Sequence, residues 1–361
     1  MHFNLIYMNE KNFCIIMAGG IGSRFWPLSK DNYPKQFLDV LGTGKSFIRS
    51  TYERFSPIVP DANFLVVTNA AYKELVLQHI PELKPEQVLC EPARRNTAPC
   101  IAYATYRIKS KCDRANIVVT PADHLVTNER EFQRIVSQGF GFLEGNANAL
   151  LTIGIKPSRP ETGYGYIEVA KQNPLPDVAK VTMFKEKPDL ATAQHFVAEG
   201  NYLWNSGIFI WTLDGIMNAF GKFLPDMVKL FDEGNGLFGT EKEQDFINRR
   251  FLDCQNISID YGIMEKASDT YTMPADFGWS DIGTWGSLFT HARKDENNNA
   301  LRGKIVSINN HNSVINIEEG TEAIVQGIDN CLVAYRDNSL LVCRLEDEQQ
   351  IKVWVEKLKE L

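Results

Sequence analysis

Residues 13–37 read F-C-I-I-M-A-G-G-I-G-S-R-F-W-P-L-S-K-D-N-Y-P-K-Q-F, a short apolar run followed by a glycine-rich loop. The apolar run predicts a buried strand. Because they lack a Cβ atom, Gly19, Gly20 and Gly22 let the backbone approach a ligand and turn its N–H groups towards it. Such groups suit phosphate oxygens, so the pattern predicts a phosphate-binding loop at the end of the first strand.

The spacing of the glycines separates this loop from two common phosphate-binding motifs. The order G-G-x-G-x-R differs from the dinucleotide fingerprint G-x-G-x-x-G, and Pro27 interrupts an immediate helix, which disfavours a nicotinamide enzyme. Downstream, G-K-S at 44–46 resembles the end of a Walker A loop, but Asp39 stands where that motif needs glycine. We therefore interpret 44–46 as a turn in which Ser46 caps the next helix.

Two cations, Arg24 and Lys35, accompany the loop, and Pro34 fixes the chain direction just before Lys35. Arginine can bind a phosphate through two parallel hydrogen bonds, whereas lysine acts as a mobile point charge. From the residues alone, two interpretations stay open. The pair either binds phosphate or consists of ordinary surface cations beside a turn.

Up to residue 155 the sequence alternates short apolar runs with segments of helical period. The predicted strands are 13–17, 64–68, 88–90, 117–120 and 150–155. The predicted helices between them are 46–55, 70–80, 97–111 and 129–143. This alternation predicts the α/β class, with a doubly wound, mostly parallel sheet that binds its ligand at the carboxyl ends of the strands.

After residue 155 the pattern becomes mixed. Further strands are predicted at 164–170, 178–186 and 203–211, and further helices at 189–199, 213–223 and 241–252. The polar run D-E-N-N-N at 295–299 indicates a boundary, beyond which five short apolar runs precede a charged helix from Glu346. These runs are 304–308, 313–317, 322–327, 331–335 and 339–343. The predicted organisation is a leader at 1–12, a main domain at 13–294, and a small C-terminal β module with a terminal helix at 295–361.

Composition narrows the functional classes. The net charge of −7 argues against nucleic acid or an anionic membrane as a partner, because such surfaces are built from excess Lys and Arg. The seven cysteines are an odd number without C-x-x-C spacing, so we interpret them as reduced thiols and expect a cytoplasmic protein. Histidine pairs at zinc-ligand spacing are absent from the sequence, and no apolar segment approaches the roughly 20 residues that cross a bilayer.

Several motifs, taken together and in order, resemble the signature of the sugar-phosphate nucleotidylyltransferase family. They are A-G-G-I-G-S-R-F-W-P-L (18–28), P-K-Q-F (34–37), E-P-A-R-R-N-T-A-P (91–99), P-A-D-H (121–124), R-P-E-T-G-Y-G-Y-I (159–167), F-K-E-K-P (184–188), W-N-S-G-I-F (204–209) and W-S-D-I-G-T-W (279–285). The F-W-P-L-S and P-K-Q-F variants resemble the mannose-1-phosphate guanylyltransferase branch. Each motif is weak alone, whereas the ordered set is specific.

The resemblance implies a Rossmann-like nucleotidyltransferase that joins GTP to α-D-mannose 1-phosphate, giving GDP-mannose and pyrophosphate with Mg²⁺ as cofactor. We also expect a homodimer; whether the C-terminal module mediates dimerisation or covers the sheet stays open. Two alternatives stay open: the same chemistry on another sugar 1-phosphate or nucleotide, and a catalytically silent subunit that binds nucleotide sugar and regulates a partner. The silent subunit is disfavoured because the chain retains Arg24, Lys35, Asp123 and Asp281 together.

The resemblance also implies roles for individual residues. The implied catalytic residues are Arg24, Lys35, Asp123 and Asp281, of which Asp123 and Asp281 hold the metal. The implied nucleotide-binding residues are Ala18, Gly19, Gly20, Gly22, Ser23, Glu91, Asn96 and Thr97. The implied sugar-phosphate-binding residues are Gly165, Glu186, Lys187 and Asn205.

Each of several local patterns is also typical of plain structure. Asp123 suits helix capping, Asp281 suits an Asx-turn and Asn96 suits the N-cap of the next helix. Glu186 and Lys187 are equally typical of a solvated turn at the end of a strand.

Overall fold

The computed structural model describes residues 8–170 and 177–360. The strands are β1 Asn12–Met17, β2 Phe64–Asn69, β3 Val88–Glu91, β4 Asn116–Pro121, β5 Leu125–Val126, β6 Leu150–Ile155, β7 Tyr166–Val169, β8 Ala179–Lys185, β9 Tyr202–Thr212, β10 Thr270–Ala275, β11 Trp279–Ser280, β12 Ala300–Arg302, β13 Lys304–Ile308, β14 Val314–Ile317, β15 Glu322–Gln326, β16 Cys331–Arg336 and β17 Ser339–Arg344. The α-helices are α1 Phe47–Phe55, α2 Lys73–His79, α3 Thr97–Lys109, α4 Glu129–Leu143, α5 Leu190–Glu199, α6 Leu213–Phe223, α7 Pro225–Asp232, α8 Glu243–Arg250, α9 Trp285–His291 and α10 Ile351–Lys359.

Within the described residues, nine strands form one sheet in the order β3-β2-β1-β4-β9-β6-β10-β8-β7. Strands β1 to β4 are parallel, as are β6 and β10, whereas β9 runs antiparallel to both β4 and β6. The parallel half therefore follows the predicted β-α-β pattern. The other half is mixed, because β9 enters between β4 and β6 and reverses the direction there.

Helices cover both faces of this sheet. Along β9, Phe209 and Trp211 lie in the core cluster that contains the apolar residues of α3. Ile210, between them, lies close to Gly139 of α4. Because successive strand residues point to opposite faces, α3 and α4 lie on opposite sides of the sheet. The predicted α/β class and the doubly wound arrangement are confirmed.

Beyond residue 299 the chain forms short strands that pair in parallel. β14 lies between β12 and β16, and β13 pairs with β15. The paired residues are 18 positions apart both for Val314 and Leu332 and for Lys304 and Glu322, so the chain winds here with a repeat of 18 residues. Antiparallel β17 and helix α10 follow, which confirms the predicted C-terminal strands and terminal helix.

The described chain divides into two compact units. The first contains 8–19, 52–122, 126–170 and 177–279, and the second contains 20–51, 123–125 and 280–360. The second unit thus holds the predicted C-terminal module together with the loop after β1. Of the predicted leader, residues 1–7 lie outside the described residues and β1 begins at Asn12. The boundary predicted at residue 295 stays a prediction.

Among the described residues, helices of the length and apolarity needed to span a membrane do not occur. All seven cysteines are free thiols.

Candidate active site

The loop after β1 passes through a left-handed glycine before it reaches Lys35. Gly22 has a φ of +61°, and a Cβ atom there would overlap the Cβ of Lys35. Both the backbone conformation and the close approach therefore require glycine at this position. The loop continues as a short 3-10 helix, Ser23–Phe25, instead of the α-helix that follows a dinucleotide fingerprint.

Lys35 is buried, and its ammonium group contacts other residues of the second unit. Its Nζ lies 2.9 Å from Oδ2 of Asp123 and donates to the carbonyl oxygen of Asp281 at 2.7 Å. The same Nζ lies 5.7 and 5.1 Å from the ring centroids of Phe25 and Phe47. A buried ammonium is costly unless it is paired, so these contacts hold Lys35 in one place. Three of the four predicted catalytic residues, Lys35, Asp123 and Asp281, thus come together.

Asp123 directly follows Ala122 at the carboxyl end of β4, as the sequence predicts. Burial raises the pKa of Asp123, but the charges of Lys35 and His124 and the hydrogen bond from Lys35 outweigh it. The net pKa is therefore below its ordinary value. The side chain is still 32% exposed, so an ionised carboxylate remains within reach of a ligand.

Asp281 lies in a strained turn. Its Oδ1 accepts the N–H of Gly283 at 3.0 Å, so the Asx-turn considered from the sequence is present. The next residue, Ile282, is fully buried and has a φ of +43°. A left-handed conformation is costly for a β-branched residue and persists only where the surroundings enforce it. The structure therefore maintains an unfavourable backbone conformation directly beside a predicted metal ligand.

The carboxylates of Asp123 and Asp281 suit Mg²⁺ better than a transition metal. Sets of three or more His, Cys, Asp or Glu side chains that could hold a metal are absent from 8–170 and 177–360. Mg²⁺ needs fewer protein ligands, because one or two carboxylates together with substrate phosphates and waters complete its shell. Asp123 and Asp281, which both contact Lys35, offer carboxylate donors of this kind, so the residues fit Mg²⁺ that arrives with a triphosphate.

The other predicted loop residues contribute less to this cluster. Arg24 is exposed in the first 3-10 helix; burial raises the pKa of Glu348, and the charge of Arg24 offsets part of that rise. A Cβ atom on the exposed Gly20 would meet nothing among the described residues within 4 Å, and Ser23 is half-buried. The nucleotide-binding roles of Gly20 and Ser23 and the catalytic role of Arg24 stay predictions.

In the first unit, Ala18 extends the sheet beyond β1. Its N–H donates to the carbonyl of Val67 at 2.8 Å, and its carbonyl accepts the hydroxyl of Thr68 at 2.8 Å. The amide N–H is thus already used within the protein, and the role of Ala18 in nucleotide binding stays a prediction. Gly19, the next residue, is half-buried and lies close to Glu91.

Glu91 is a buried carboxyl group at the end of β3. It is 6% exposed, and its Oε1 has no hydrogen-bond partner within the described part of the chain. Burial raises the pKa of Glu91 to about 8, although a hydrogen bond with Cys100 lowers it. A Cβ atom on Gly19 would lie 3.6 Å from its Oε2. A buried, unsatisfied acceptor beside a glycine is suited to the polar edge of a ligand.

Asn96 and Thr97 begin α3. Asn96 has a φ of +68° and its Oδ1 accepts the N–H of Thr97 at 2.9 Å, so the capping role considered from the sequence is present. The Thr97 hydroxyl accepts the N–H of Ile259 at 2.9 Å. Thr97 therefore ties the start of α3 to the segment that leads into Asp260.

The four predicted sugar-phosphate residues meet in the first unit. A Cβ atom on Gly165 would overlap Oε2 of Glu186, and the Gly165 carbonyl accepts the N–H of Asn205 at 2.8 Å. Nζ of Lys187 donates to Oε1 of Glu186 at 2.7 Å. Glu186 is only 10% exposed, in contrast to a solvated turn, whereas Lys187 is 61% exposed and has a φ of +46°.

Asp260 joins this cluster and was missed from the sequence. Its Oδ1 accepts the side-chain amide of Asn205 at 2.9 Å, while Oδ1 of Asn205 accepts the hydroxyl of Thr152 at 2.9 Å. Burial and the charge of Glu186 raise the pKa of Asp260 to about 7. Asp260 begins a π-helical turn, Asp260–Met264, and such turns are frequent at functional sites. A single carboxylate within the apolar stretch I-S-I-D-Y-G-I-M at 257–264 was the available signal.

Comparisons with known proteins show the family to which the chain is related. A sequence model of the nucleotidyl transferase family matches residues 13–298. A mannose-1-phosphate guanylyltransferase from Escherichia coli is 36% identical over 355 residues, which are 95% of this chain and 75% of that protein. The xanthan biosynthesis protein XanB of Xanthomonas campestris is 35% identical, covering 96% and 73%. The crystal structure of a mannose-1-phosphate geranyltransferase from Thermus thermophilus has a TM-score of 0.85 and 28% identity, covering 97% and 99%.

Proposed function

The chain belongs to the nucleotidyl transferase family, and we propose that it transfers GMP from GTP to α-D-mannose 1-phosphate with Mg²⁺ as cofactor, giving GDP-mannose and pyrophosphate. The observation that carries the proposed chemistry is the contact of one buried ammonium, Lys35, with both Asp123 and Asp281. The names of the relatives that are more than a third identical support the sugar phosphate and the nucleotide.

The reaction needs charge neutralisation more than proton transfer. A phosphomonoester has a second pKa near 6, so the attacking oxygen is already ionised at neutral pH and needs no general base. The obstacle is the approach of two polyanions and the departure of pyrophosphate. Lys35 and Arg24 supply fixed positive charge for the triphosphate, and Asp123 and Asp281 would hold Mg²⁺. When bound, the metal neutralises phosphate charge and orients the phosphates.

Glu91 is the residue that we expect to favour guanine. Guanine presents two adjacent donors, N1–H and the 2-amino group, whereas adenine presents an acceptor at N1. A carboxylate with an unsatisfied oxygen beside Gly19 complements two donors and opposes an acceptor. Pairing with guanine would also offset the cost of ionising this buried group.

The sugar is bound, in this proposal, by the cluster around Glu186. Glu186 and Asp260 provide acceptors for hydroxyl groups, and Asn205 fixes Asp260 through its amide. Lys187, the more exposed member, is the residue that we expect to bind the phosphate. Directional hydrogen bonds of this kind can separate sugars that differ in the orientation of one hydroxyl.

A cytoplasmic location and a homodimer complete the proposal. The seven free thiols support the location, since oxidising compartments favour paired cysteines. Light scattering of the purified protein tests the dimer directly.

The experiment that tests the function is a pyrophosphate-release assay with GTP, ATP, UTP and dTTP, each combined with mannose, glucose and fucose 1-phosphates. We expect turnover with GTP and mannose 1-phosphate to exceed that of every other pair, and EDTA to abolish it. Lys35→Ala should lower kcat by roughly 100-fold or more, as removal of a preorganised charge does elsewhere. Lys45→Ala, which removes an exposed lysine of the Walker-like 44–46 turn, serves as control. Absence of turnover with every pair would refute the proposed enzymatic activity.

A further inference from the structure

Glu348 reaches from the C-terminal part of the second unit to the helix that follows the metal-binding turn. It lies in the 3-10 helix Leu345–Gln350 between β17 and α10. Its Oε2 accepts the backbone N–H of Gly286, in the first turn of α9, at 2.5 Å. The carboxylate thus satisfies one of the amide groups that a helix leaves unpaired at its N-terminus.

Gly286 is the residue that admits this carboxylate. A Cβ atom on Gly286 would lie 2.9 Å from Oε1 of Glu348, closer than side chains tolerate. The first turn of α9 is otherwise held by its own capping box, in which Thr284 and Ser287 exchange hydrogen bonds of 3.0 and 3.1 Å. Glu348 therefore adds a contact from a distant segment to a locally capped helix start.

The start of α9 is linked to the metal-binding turn by a few residues of chain. Asp281 bonds Gly283 through its carboxylate and Lys35 through its carbonyl. Ile282, between Asp281 and Gly283, has its strained φ of +43°. A strained turn keeps its shape only if both of its ends are fixed. Lys35 fixes one end, and the start of α9 fixes the other.

We infer that Glu348 is a positioning residue, which holds the start of α9 and thereby keeps the Asp281 carboxylate in the place where it binds Mg²⁺. This inference rests on the proposed function and extends it to the C-terminal module. It gives that module a task in catalysis besides covering a sheet or joining two subunits.

The electrostatic surroundings of Glu348 agree with this role. Burial raises the pKa of Glu348, and the Gly286 N–H, the Thr284 hydroxyl and the charge of Arg24 each act to lower it. The carboxylate is thus drawn towards the capped helix start and the cationic loop at once. The same core also joins these segments, because Phe25, Ile282, Trp285 and Ile351 pack in one hydrophobic cluster.

Three variants separate positioning from general stability. Glu348→Ala removes the acceptor, whereas Glu348→Gln keeps an acceptor oxygen in its place. Gly286→Ala approaches the same contact from the other side, since it displaces the carboxylate while improving helix propensity. Glu346→Ala, which removes an exposed carboxylate of the same 3-10 helix, is the matched control.

The measurements are steady-state kinetics and hydrogen exchange of the substrate-free protein. We expect Glu348→Ala and Gly286→Ala to lower kcat about 10- to 100-fold, as small displacements of catalytic groups do, with KM for mannose 1-phosphate unchanged. Exchange should accelerate in residues 281–288 and stay unchanged elsewhere, and Glu348→Gln should recover most of kcat.

Wild-type kcat in Glu348→Ala would overturn the inference, as would exchange that accelerates evenly across 280–360. If the wild-type chain shows no turnover, the proposed function fails instead. The local exchange result then still decides whether Glu348 holds the turn.

Discussion

At the scale of single residues, each of the two units contains ionisable groups that the fold has partly removed from water. Lys35 is paired within the second unit, whereas Glu91 and Asp260 in the first unit have pKa values raised to about 8 and about 7. Perturbed values of this size cluster at functional sites because function needs groups that a stable core would exclude. Glu91 and Asp260 should therefore each lower the stability of the protein in some pH range.

Glu91 gives a prediction about stability and pH. Its pKa is about 8 in the folded chain and near 4.5 when unfolded, so the folded state binds the proton more tightly. The stability that the protonated Glu91 contributes is complete below about pH 4.5 and is lost as the pH rises to about 8. Each unit of difference between the folded and unfolded pKa values corresponds to about 1.4 kcal/mol. Glu91→Gln should therefore stabilise the protein at pH 8.5 relative to wild type and change little at pH 5. Urea unfolding at both pH values checks this, and an equal effect at both would contradict it.

Asp260 gives a prediction about the sugar. Asp260→Asn removes the charge but keeps the shape, so we expect the chain to fold and KM for mannose 1-phosphate to rise roughly 10-fold or more through a lost hydrogen bond. KM for GTP should stay within about twofold of wild type, since Asp260 is tied to Asn205 in the sugar cluster. Asp253→Asn, at an exposed aspartate, is the control. A change in KM for GTP alone would remove Asp260 from the sugar site.

At the scale of elements, Gly20 and Gly22 of the glycine-rich loop lie in different local environments. Gly22 has positive φ and lies against the Lys35 side chain, whereas a Cβ atom on Gly20 would meet nothing within 4 Å in the part of the chain that the structure describes. The spacing of the glycines in the sequence marks the loop but does not distinguish these cases. The distinction depends on Lys35, which is 13 residues away in the chain.

The two glycines make a matched pair of substitutions. Gly22→Ala should cost about 1–3 kcal/mol of unfolding free energy, because it adds backbone strain and a clash with Lys35. Gly20→Ala should change the unfolding free energy by less than about 0.5 kcal/mol, as an open surface position does. Denaturant unfolding of both variants measures the difference. Equal losses would show that the clash with Lys35 is relieved at little cost.

At the scale of the whole molecule, the loop after β1 belongs to the same compact unit as the C-terminal strands. Segments 20–51 and 280–360 share one hydrophobic cluster that includes Phe25, Trp285 and Ile351. The loop that carries Lys35 is therefore stabilised by packing against a segment near the end of the chain. A change in the C-terminal core should therefore affect the loop that carries Lys35 even where the changed residue contacts no substrate.

Ile351→Ala tests this connection. Ile351 is fully buried, so the truncation should cost about 2–5 kcal/mol. Native-state hydrogen exchange should then show that 20–51 and 280–360 open together, while the nine-stranded sheet keeps its protection. Val353→Ala, at an exposed position of the same helix, should leave both segments as they are. Faster exchange in 351–360 alone would contradict the shared unit.

Local signals explain what the sequence predicted and what it missed. Strands such as Leu150–Ile155 and helices such as Glu129–Leu143 match their predicted bounds, because periodicity and caps are properties of neighbouring residues. The strand Thr270–Ala275 and the contact between Gly286 and Glu348 were missed, since both depend on partners far away in the chain. Asp260 was missed for the same reason, because its role arises from Asn205 and Glu186 rather than from its neighbours.

The most direct test of nucleotidyl transfer follows the α- and γ-phosphorus atoms of GTP into the products. The purified chain is incubated with mannose 1-phosphate and GTP labelled at either the α- or the γ-phosphorus, and the products are separated. The proposed transfer predicts that the α-label appears in GDP-mannose and the γ-label in pyrophosphate, in equal amounts, and that Lys35→Ala loses both. Recovery of the γ-label as free phosphate with the α-label left in GDP would indicate hydrolysis and would contradict nucleotidyl transfer.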